Sequence, residues 1–388
     1  MKGMLLLIDA SRANNEQKTG VEWYAFFVIQ ELKKIVPLET RVVLFTRESL
    51  KGEFAVLPPN WQEQVLQWRP RRLWTQIRLS WEIWRVKRGA RDYSAGVKEE
   101  DIALFVPAHV LPLVCPKKTF ITIHDLGGIR FPSGYSLFER LYARFATAFA
   151  LRRATVFTPS EFSKREIESV FGNGKITVVP NGFDDSKYHL IDDKEKVKQI
   201  LEKYNICVPY FLSISRLEEK KNTVGIIEAY KIFKEKIALK SNSENYSLVL
   251  LGKPGYGYAK ATKAIKKSGY QHTIILPGWV KAEDVPFLMA VAAWFIFPGF
   301  YEGFGIPVLE AMACGVSVIA SNRAALPEVA GGAALLVDPY KPGDIARAML
   351  EIVSSPALRD ELIERGLARA GEFKWERTAQ EIYNAFLF

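Results

Sequence analysis

Cysteine and histidine are scarce in this chain. Its 388 residues include three cysteines, Cys115, Cys207 and Cys314, and four histidines. No Cys-x-x-Cys pair and no Cys/His spacing typical of a zinc site occurs among them. The cysteines therefore predict reduced thiols in the core of a cytoplasmic protein, and no metal site is expected.

Long apolar runs are also missing. The stretch LLLI near the start is interrupted by Asp9 and is too short for the apolar region of a signal peptide. No run of about eighteen apolar residues occurs anywhere in the sequence. The sequence thus predicts neither a signal peptide nor a membrane-spanning helix.

Two common nucleotide-binding motifs are absent. A nicotinamide oxidoreductase would carry Gly-x-Gly-x-x-Gly between the first strand and helix, where this chain has DASRANNEQKTG. A P-loop phosphotransferase would need Gly-x4-Gly-Lys-Ser/Thr, which does not occur. These absences argue against both classes of enzyme.

The length and composition fit two α/β domains. With 48% hydrophobic content, 388 residues are too many for one typical core and match two domains of ordinary size. Short apolar strands alternate with helical stretches, which predicts parallel sheets flanked by helices. The predicted strands include residues 5–8, 42–45, 103–106, 155–158 and 248–251. The charged, turn-rich interval 184–209 is the expected boundary between the domains.

The most informative segment is PGFYEGFGIPVLEAMACGVSV, residues 298–318. The apolar residues 294–297 before it predict a buried parallel strand, and Pro307 suits the first turn of a helix that follows at once. The backbone N–H groups of residues 303–306 and the positive end of the helix dipole would then face the carboxyl edge of the sheet. Open α/β sheets bind ligands at this edge, so we expect an anion there, most plausibly a diphosphate.

Two carboxylates flank that helix start. Glu302 precedes the helix, and Glu310 lies about one turn inside it. Carboxylates accept hydrogen bonds from hydroxyl groups, which a hexose and a ribose present in pairs. The layout predicts a sugar-nucleotide site. The alternative is that Glu302 caps the helix and Glu310 is a solvated residue, because acidic residues in a first turn are common for dipole reasons alone.

A second candidate lies in YFLSISRLEEKKN, residues 210–222. An apolar strand is followed by a loop with Arg216 and Lys221, and two cations after a strand can offset the charge of a diphosphate. The alternative is a solvated loop, because Lys220 and Lys221 follow Glu218 and Glu219 in a mixed charge cluster.

A third candidate is His124 in FITIHDL, residues 120–126. This histidine follows an apolar strand, where it can donate a hydrogen bond to a sugar hydroxyl or to a backbone oxygen, and Asp125 would orient the loop. A purely structural role for His124 remains open.

The segment EGFGIPVLE, with its Glu-x7-Glu spacing, together with the two pieces above, resembles the group-1 retaining glycosyltransferases. The resemblance implies the GT-B architecture, an α/β fold of two Rossmann-like domains whose parallel sheets face a central cleft. It also implies transfer of a sugar from a nucleotide diphosphate sugar with retention of anomeric configuration, without a bound metal or other cofactor.

The resemblance implies a role for each candidate. Glu302 would contact the donor sugar and Glu310 the ribose, and His124 would lie beside the donor sugar. Arg216 and Lys221 would grip the donor phosphates. The amides of the loop after Glu302 would hold the phosphates as well, namely those of Gly303, Phe304, Gly305 and Ile306.

Two further places match the family less specifically. Gly20 in TGVEWYA opens the first helix, and in the family a glycine here lets the backbone approach the donor phosphate. An ordinary glycine at a helix start is the alternative. The loop with Gly278, Trp279 and Val280 would frame the nucleobase through backbone groups.

The segment 68–91 concentrates the positive charge of a chain whose net charge is +10. It holds eight arginine or lysine residues, one glutamate and four of the nine tryptophans. Its aromatic residues at helical spacing and its arginines could rest on an anionic lipid surface. Alternatively, the tryptophans pack on the sheet of their own domain and the arginines are solvated. The spread of Leu79, Ile83 and Val86 over more than one face favours this second interpretation. The lipid-facing residues would include Trp74, Ile77, Trp81 and Trp84, with Arg72, Arg78, Arg85 and Arg88 around them.

The predicted organisation is an acceptor-side domain over residues 1–187, a donor domain over 188–373 and a last helix over 374–388. In the family this helix crosses back to the first domain, and the alternative keeps it in the second.

The expected donor is a GDP- or UDP-sugar carrying mannose or glucose, and the acceptor is a glycan, a lipid-linked oligosaccharide or a small glycoside. The expected location is cytoplasmic, at the inner face of the membrane if segment 68–91 binds lipid, and nucleic acid is not an expected partner. The alternatives are a non-catalytic sugar-nucleotide binder and a GT-B epimerase or phosphorylase.

Overall fold

The computed structural model describes residues 4–16, 18–69, 73–239 and 246–388. Contacts divide the chain into two domains. The first ends at Gly182 and takes in Trp375–Phe388 again at the end of the chain, and the second is Phe183–Lys374. The predicted limits were residues 187 and 373. The interval 184–209, expected to be turn-rich, contains a helix, because Asp193 caps it and Ile200 buries one side.

The first domain contains a parallel sheet of seven strands in the order β3-β2-β1-β4-β5-β6-β7. Strands β1, β2 and β4 at its centre are almost wholly buried, as their continuous apolar sequences predict. The strands are β1 Leu5–Asp9, β2 Arg41–Thr46, β3 Trp61–Val65, β4 Ile102–Val106, β5 Lys118–Thr122, β6 Thr155–Thr158 and β7 Ile176–Val178.

Helices of the first domain connect these strands. Helix α1 begins where the Thr19 amide donates to Glu22 Oε2 over 3.1 Å, and its last turn carries Lys33 and Lys34. A π-helical segment, Trp74–Leu79, runs directly into α2. The helices are α1 Gly20–Ile35, α2 Ser80–Lys87, α3 Gly127–Arg130, α4 Leu137–Arg153 and α5 Glu161–Phe171.

The second domain contains a parallel sheet of six strands in the order β10-β9-β8-β11-β12-β13. Numbered within the domain, this is 3-2-1-4-5-6, the doubly wound order of nucleotide-binding folds. Alternate residues of β8 and β11 face two separate cores, Tyr210 and Phe295 on one side, Phe211 and Trp294 on the other. The strands are β8 Tyr210–Ile214, β9 Ser247–Leu251, β10 Ile274–Ile275, β11 Trp294–Phe297, β12 Ser317–Ser321 and β13 Ala334–Val337.

Helices cover both faces of this second sheet. Residues of α9 and α10 belong to one core, and residues of α7, α8 and α12 belong to the other. The helices are α6 Lys194–Lys203, α7 Thr223–Ile237, α8 Tyr258–Ser268, α9 Val285–Ala290, α10 Ile306–Ala313, α11 Leu326–Ala330, α12 Pro342–Ser354 and α13 Pro356–Ala370.

The last helix, α14 Trp375–Phe386, packs in the first domain. Its Trp375 ring stacks on Phe27 of α1 with centroids 5.4 Å apart, and Phe386 lies against Phe120 of β5. Thr378 Oγ1 donates to the Pro180 carbonyl over 2.6 Å. Aromatic packing therefore joins this distant segment to the first sheet.

The cysteines differ from expectation at one position. Cys115 and Cys314 are buried, but Cys207 is exposed, so the prediction of three core thiols is wrong for Cys207. Cys207 lies in the turn between α6 and β8, where the chain has left the helix and has not yet entered the sheet. Burial raises the pKa of the Cys115 thiol to about 11.

Candidate functional site

The strand order of the second domain reverses between β8 and β11, which are neighbours in the sheet but not in the chain. Ligands bind at the carboxyl edge of such a switch point. The loop after β8 carries Lys221 and the loop after β11 carries Glu302. The two loops are joined by a hydrogen bond of 3.0 Å from the Phe300 amide to the Lys220 carbonyl. Two of the predicted residues therefore meet where a ligand is expected.

Lys221 and Glu302 form an ion pair. The lysine Nζ lies 2.6 Å from Oε1 and 2.7 Å from Oε2 of the carboxylate, and Glu302 is buried. A Cβ at Gly299 would lie 2.9 Å from Glu302 Oε1, so glycine leaves room for this carboxylate. The pair places one cation and one anion side by side at the switch point.

Asn222 is a functional candidate that the sequence analysis missed. It adopts a left-handed backbone with φ of 59° and is buried. Its Nδ2 donates to the carbonyls of Pro298 at 3.2 Å and Pro339 at 2.7 Å. Asn222 thus ties together the loops after β8, β11 and β13 and positions the neighbouring Lys221. The signal available in the sequence was an asparagine directly before a helix, with Gly225 three residues later. In the structure a Cβ at Gly225 would overlap Asn222 Oδ1, so the glycine leaves room for the asparagine side chain.

The helix after β11 begins as expected. Gly305 precedes it with φ of 115°, a value that favours glycine, and Pro307 lies in its first turn. The first N–H groups of a helix have no acceptor within it, so those at the start of α10 are suited to an anion. The Phe304 ring packs against Phe373 with centroids 5.7 Å apart, so this side chain belongs to the core. The predicted phosphate contacts of residues 303–306 stay a prediction.

Glu310 is enclosed on the second turn of α10. Burial raises its pKa to about 8, the nearby Asp184 carboxylate adds to the rise, and Lys187 opposes it. Burial raises the pKa of the Tyr188 phenol and of the Cys314 thiol, and the nearby Glu310 carboxyl adds to both shifts. A carboxyl group that holds its proton near neutral pH can donate as well as accept a hydrogen bond. Its predicted contact with a ribose remains untested.

Arg216 lies apart from the Lys221–Glu302 pair, and its predicted contact with the donor phosphates stays a prediction. Its side chain is 66% exposed, and Glu218, 3.8 Å away, is its one ion-pair partner among the described residues. It lies in the loop after β8, five positions before Lys221, where the backbone pairs with residues 253–255 after β9. The structure therefore brings Lys221, and not Arg216, to Glu302.

The loop with Gly278, Trp279 and Val280 follows the edge strand β10. Gly278 has φ of 74°, Val280 is buried, and the Trp279 ring is exposed with Lys253 Nζ 4.7 Å from its centroid. Lys253 follows β9, so the two residues lie near the carboxyl ends of adjacent strands. Contact of this loop with a nucleobase stays a prediction.

In the first domain, Gly20 is the first residue of α1. A Cβ placed there would meet no atom within 4 Å. No packing requirement of the described residues therefore explains this glycine, which is consistent with the predicted approach of a ligand.

His124 lies two residues after β5. Its ring packs edge-on against Tyr24 at 4.5 Å and lies 5.2 Å from the His109 ring. Nε2 is 3.5 Å from the Pro107 carbonyl, and Asp125 Oδ1 accepts a hydrogen bond from the Gly127 amide, so Asp125 shapes the loop as expected. Burial and the neighbouring His109 lower the pKa of His124 to about 3, although the Pro107 carbonyl and the Asp125 carboxylate act in the opposite direction. The imidazole is neutral at physiological pH.

Within residues 4–16, 18–69, 73–239 and 246–388, no group of three or more His, Cys, Asp or Glu side chains could hold a metal ion. The absence of a metal requirement is still a prediction.

Comparison with known proteins adds independent evidence. The family model for glycosyl transferases of group 1 matches residues 193–369, and that for glycosyltransferase family 4 matches residues 18–187. O-antigen chain mannosyltransferase B of Escherichia coli is 33% identical over 232 residues, which are 60% of this chain and 60% of that protein. The match thus spans less than two thirds of the relative.

Solved structures show the fold. Sucrose-phosphate synthase from Thermosynechococcus elongatus has a TM-score of 0.71 at 18% identity and covers 99% of this chain and 98% of its own. Anabaena HepE, solved with UDP and glucose, has a TM-score of 0.70 at 17% identity and covers 98% of both chains. The chain has the α/β fold of GT-B type that its sequence predicts.

Proposed function

The chain belongs to the group-1 glycosyltransferases, and we propose that it moves a hexose, mannose in the first place, from a nucleotide diphosphate sugar to a glycan or lipid-linked acceptor. We further propose that transfer retains the anomeric configuration and needs no metal ion. The choice of mannose and of a polysaccharide acceptor is supported by the identity to an O-antigen chain mannosyltransferase. The observation that carries the proposal is the Lys221–Glu302 pair at the switch point beside the start of α10.

The proposed chemistry assigns different tasks to this pair. As the bond to the sugar breaks, negative charge builds on the leaving diphosphate. Lys221 and the first N–H groups of α10 stabilise that charge, and preorganised stabilisation of this kind is usually the largest effect in an active site. Glu302 accepts a hydrogen bond from a sugar hydroxyl and, through the ion pair, holds Lys221 in position.

The donor can be identified by thermal shift with GDP-mannose, UDP-glucose, GDP and UDP. A ligand at a hundred times its Kd stabilises the folded chain by about 2.7 kcal/mol, so the true donor should raise the Tm clearly. Transfer to a mannose-containing oligosaccharide is then followed by NMR with and without EDTA. We expect an α-linked product at the same rate in both. Inverted product would contradict retention, a loss of rate with EDTA would contradict metal independence, and binding without transfer would indicate a sugar-nucleotide binder.

A further inference from the structure

One surface of the first domain exposes an unusual number of large apolar side chains. We define it as the Trp/Phe face, formed by the segment 73–84 and the first half of α4. Trp81 is 52% exposed, Phe138 75% and Phe145 61%. Single exposed apolar residues are normal, but a cluster of this size marks a binding surface. The exposed members are Leu73, Ile77, Trp81, Trp84, Leu137, Phe138, Leu141 and Phe145.

The exposure does not result from loose packing. On the opposite side of the same segment, Leu79, Ile83 and Val86 belong to the core, and Trp74 Nε1 donates to the Leu66 carbonyl over 2.9 Å. The helix therefore has two apolar faces, and the domain covers only one of them. The expectation that all its tryptophans pack on their own sheet is wrong for Trp81 and Trp84, because the core is already filled from the other face.

The two parts of the Trp/Phe face adjoin. Gln76 Nε2 donates to the Tyr142 hydroxyl, which connects the π-helical segment to α4. Each partner is one position away from an exposed apolar residue, Ile77 on one side and Leu141 on the other. The contact thus joins the two exposed stripes into one surface.

Arginines border the Trp/Phe face. The guanidinium carbons of Arg78 and Arg85 each lie 5.2 Å from the Trp81 ring centroid, and that of Arg88 lies 4.3 Å from the Trp84 ring. Arg140 and Arg144 also lie on α4, where the guanidinium carbon of Arg144 is 5.9 Å from the Phe171 ring centroid of α5. Arg72 is outside the described residues.

The acidic groups near this face are already bonded. Glu82 accepts hydrogen bonds from Arg78 and Arg91, so these two arginines are not simply solvated as expected. The Glu139 carboxylate accepts from the Ser136 amide and hydroxyl at the start of α4. Residues 73–88 and 137–145 hold six arginine or lysine residues against these two glutamates, so the net charge along the face is positive.

We propose that the Trp/Phe face docks on an anionic lipid bilayer. Indole rings with arginines stacked on them suit the headgroup level, where the ring is half-buried in acyl chains and the guanidinium pairs with lipid phosphate. None of the helices in the described part of the chain is long and apolar enough to cross a membrane, so the proposed contact is with the surface. A second copy of this chain would set positive charge against positive charge, which disfavours self-association through the same face.

The test is sedimentation of the full chain with vesicles of phosphatidylcholine containing phosphatidylglycerol, and with phosphatidylcholine alone. The protein should sediment with the anionic vesicles and be released by salt. The double variant Trp81→Gln, Trp84→Gln should weaken binding about tenfold, and Phe138→Gln with Phe145→Gln should do the same. The affinity of the variant Arg85→Gln, Arg88→Gln for the anionic vesicles should fall about fivefold for each arginine removed. Val56→Gln, an exposed apolar residue elsewhere in the first domain, should bind like the parent.

Brominated lipids provide a second readout, because they should quench tryptophan fluorescence in the parent and much less in the Trp81/Trp84 variant. Each variant's Tm confirms that it is folded. The proposal is overturned if the parent does not bind anionic vesicles, or if the variants bind as well as Val56→Gln. It is also overturned if the parent forms a dimer without lipid that the Trp81/Trp84 variant cannot form.

Discussion

The two domains share a strand order and differ in the chemistry at its carboxyl edge. Both sheets run 3-2-1-4-5-6, and the first domain adds one strand. At the switch point of the second domain a buried carboxylate and a lysine form an ion pair. The corresponding edge of the first domain carries a neutral histidine packed among aromatic rings. The same strand order thus carries an ion pair in one domain and a neutral imidazole in the other.

This difference has a physical basis. Lys221 Nζ lies within 2.7 Å of both oxygens of the buried Glu302 carboxylate, so each charge offsets part of the cost of burying the other. His124 is enclosed and a second imidazole lies beside it, so burial and then His109 lower its pKa to about 3 although the Asp125 carboxylate opposes the shift. A negatively charged diphosphate therefore has its proposed partner in the second domain, whereas His124 of the first domain is a neutral imidazole.

The sharpest test of this contrast is Lys221→Ala. Removing the proposed phosphate partner should lower kcat about a hundredfold or more. The structure adds a second expectation, because the variant leaves Glu302 buried without its cation and should lose about 3 kcal/mol of unfolding free energy. Transfer rates and thermal unfolding measure both effects. Lys341→Ala, which removes an exposed ion pair with Asp338, is the matched control and should change neither.

The double variant Lys221→Met, Glu302→Gln separates stability from catalysis. Without a buried charge it should unfold near the parent's Tm and still be inactive. If Lys221→Ala transferred sugar at the parent's rate below its own Tm, the charged site would lie elsewhere.

Arg216→Ala is expected to have the next largest effect, on activity alone. The exposed guanidinium makes one ion pair, 3.8 Å long, so the free energy of unfolding should change by less than about 0.5 kcal/mol. If Arg216 grips the donor phosphates as the family pattern implies, kcat/KM should fall about tenfold or more. Steady-state kinetics at several donor concentrations decide this. Unchanged kinetics would confine the site to Lys221 and Glu302.

His124→Phe tests the neutral site of the first domain. The six-membered ring of phenylalanine keeps an aromatic contact with Tyr24 and has no nitrogens, so we expect about a tenfold loss of kcat with a preserved fold. Because the pKa of His124 lies near 3, parent and variant should have pH–rate profiles of the same shape between pH 5.5 and 8. His272→Phe, an exposed histidine of the second domain, serves as control. If the rate of the parent changed near pH 6.5 and this change disappeared in His124→Phe, His124 would be charged below that pH. The contrast between the charged pair of the second domain and the neutral histidine of the first would then be wrong.

Glu310→Gln should change how the stability of the folded chain depends on pH. The folded chain keeps the Glu310 proton up to about pH 8, whereas the ordinary value is 4.5. Folding of the parent should therefore become less favourable as the pH rises from about 4.5 to about 8, and the glutamine variant should lack this contribution. The Tm difference between the two, measured from pH 4 to 9, should shift steadily in favour of the variant. A constant difference would mean that Glu310 is already ionised in the folded chain.

Local patterns in the sequence predicted the scaffold well. The expected strands at residues 42–45, 155–158 and 248–251 lie within β2, β6 and β9, and the helix start around Pro307 is as expected. Apolar runs and glycine or proline at helix ends act through nearest neighbours along the chain, so they are visible without a fold. The family was recognisable from the same short segments.

Predictions that depended on distant contacts were less successful. The sequence did not show that Asn222 ties three loops together, since its partners Pro298 and Pro339 are far along the chain. Nor did it show which cation of the loop after β8 reaches Glu302, which is Lys221 and not Arg216. The sequence did not indicate that apolar residues of α4 are exposed, because it does not say which side of a helix the sheet will cover.

By itself, the sequence determined two parallel α/β domains, the glycine and proline at the start of α10, and the candidates Lys221, Glu302 and His124. Only the tertiary structure decided that Lys221 pairs with Glu302, that His124 is neutral, and that Trp81 and Trp84 face outward. The reason is that strand and helix formation follow from local periodicity and steric preference. Ion pairing, desolvation and exposure depend instead on which distant segments fill the space around a side chain.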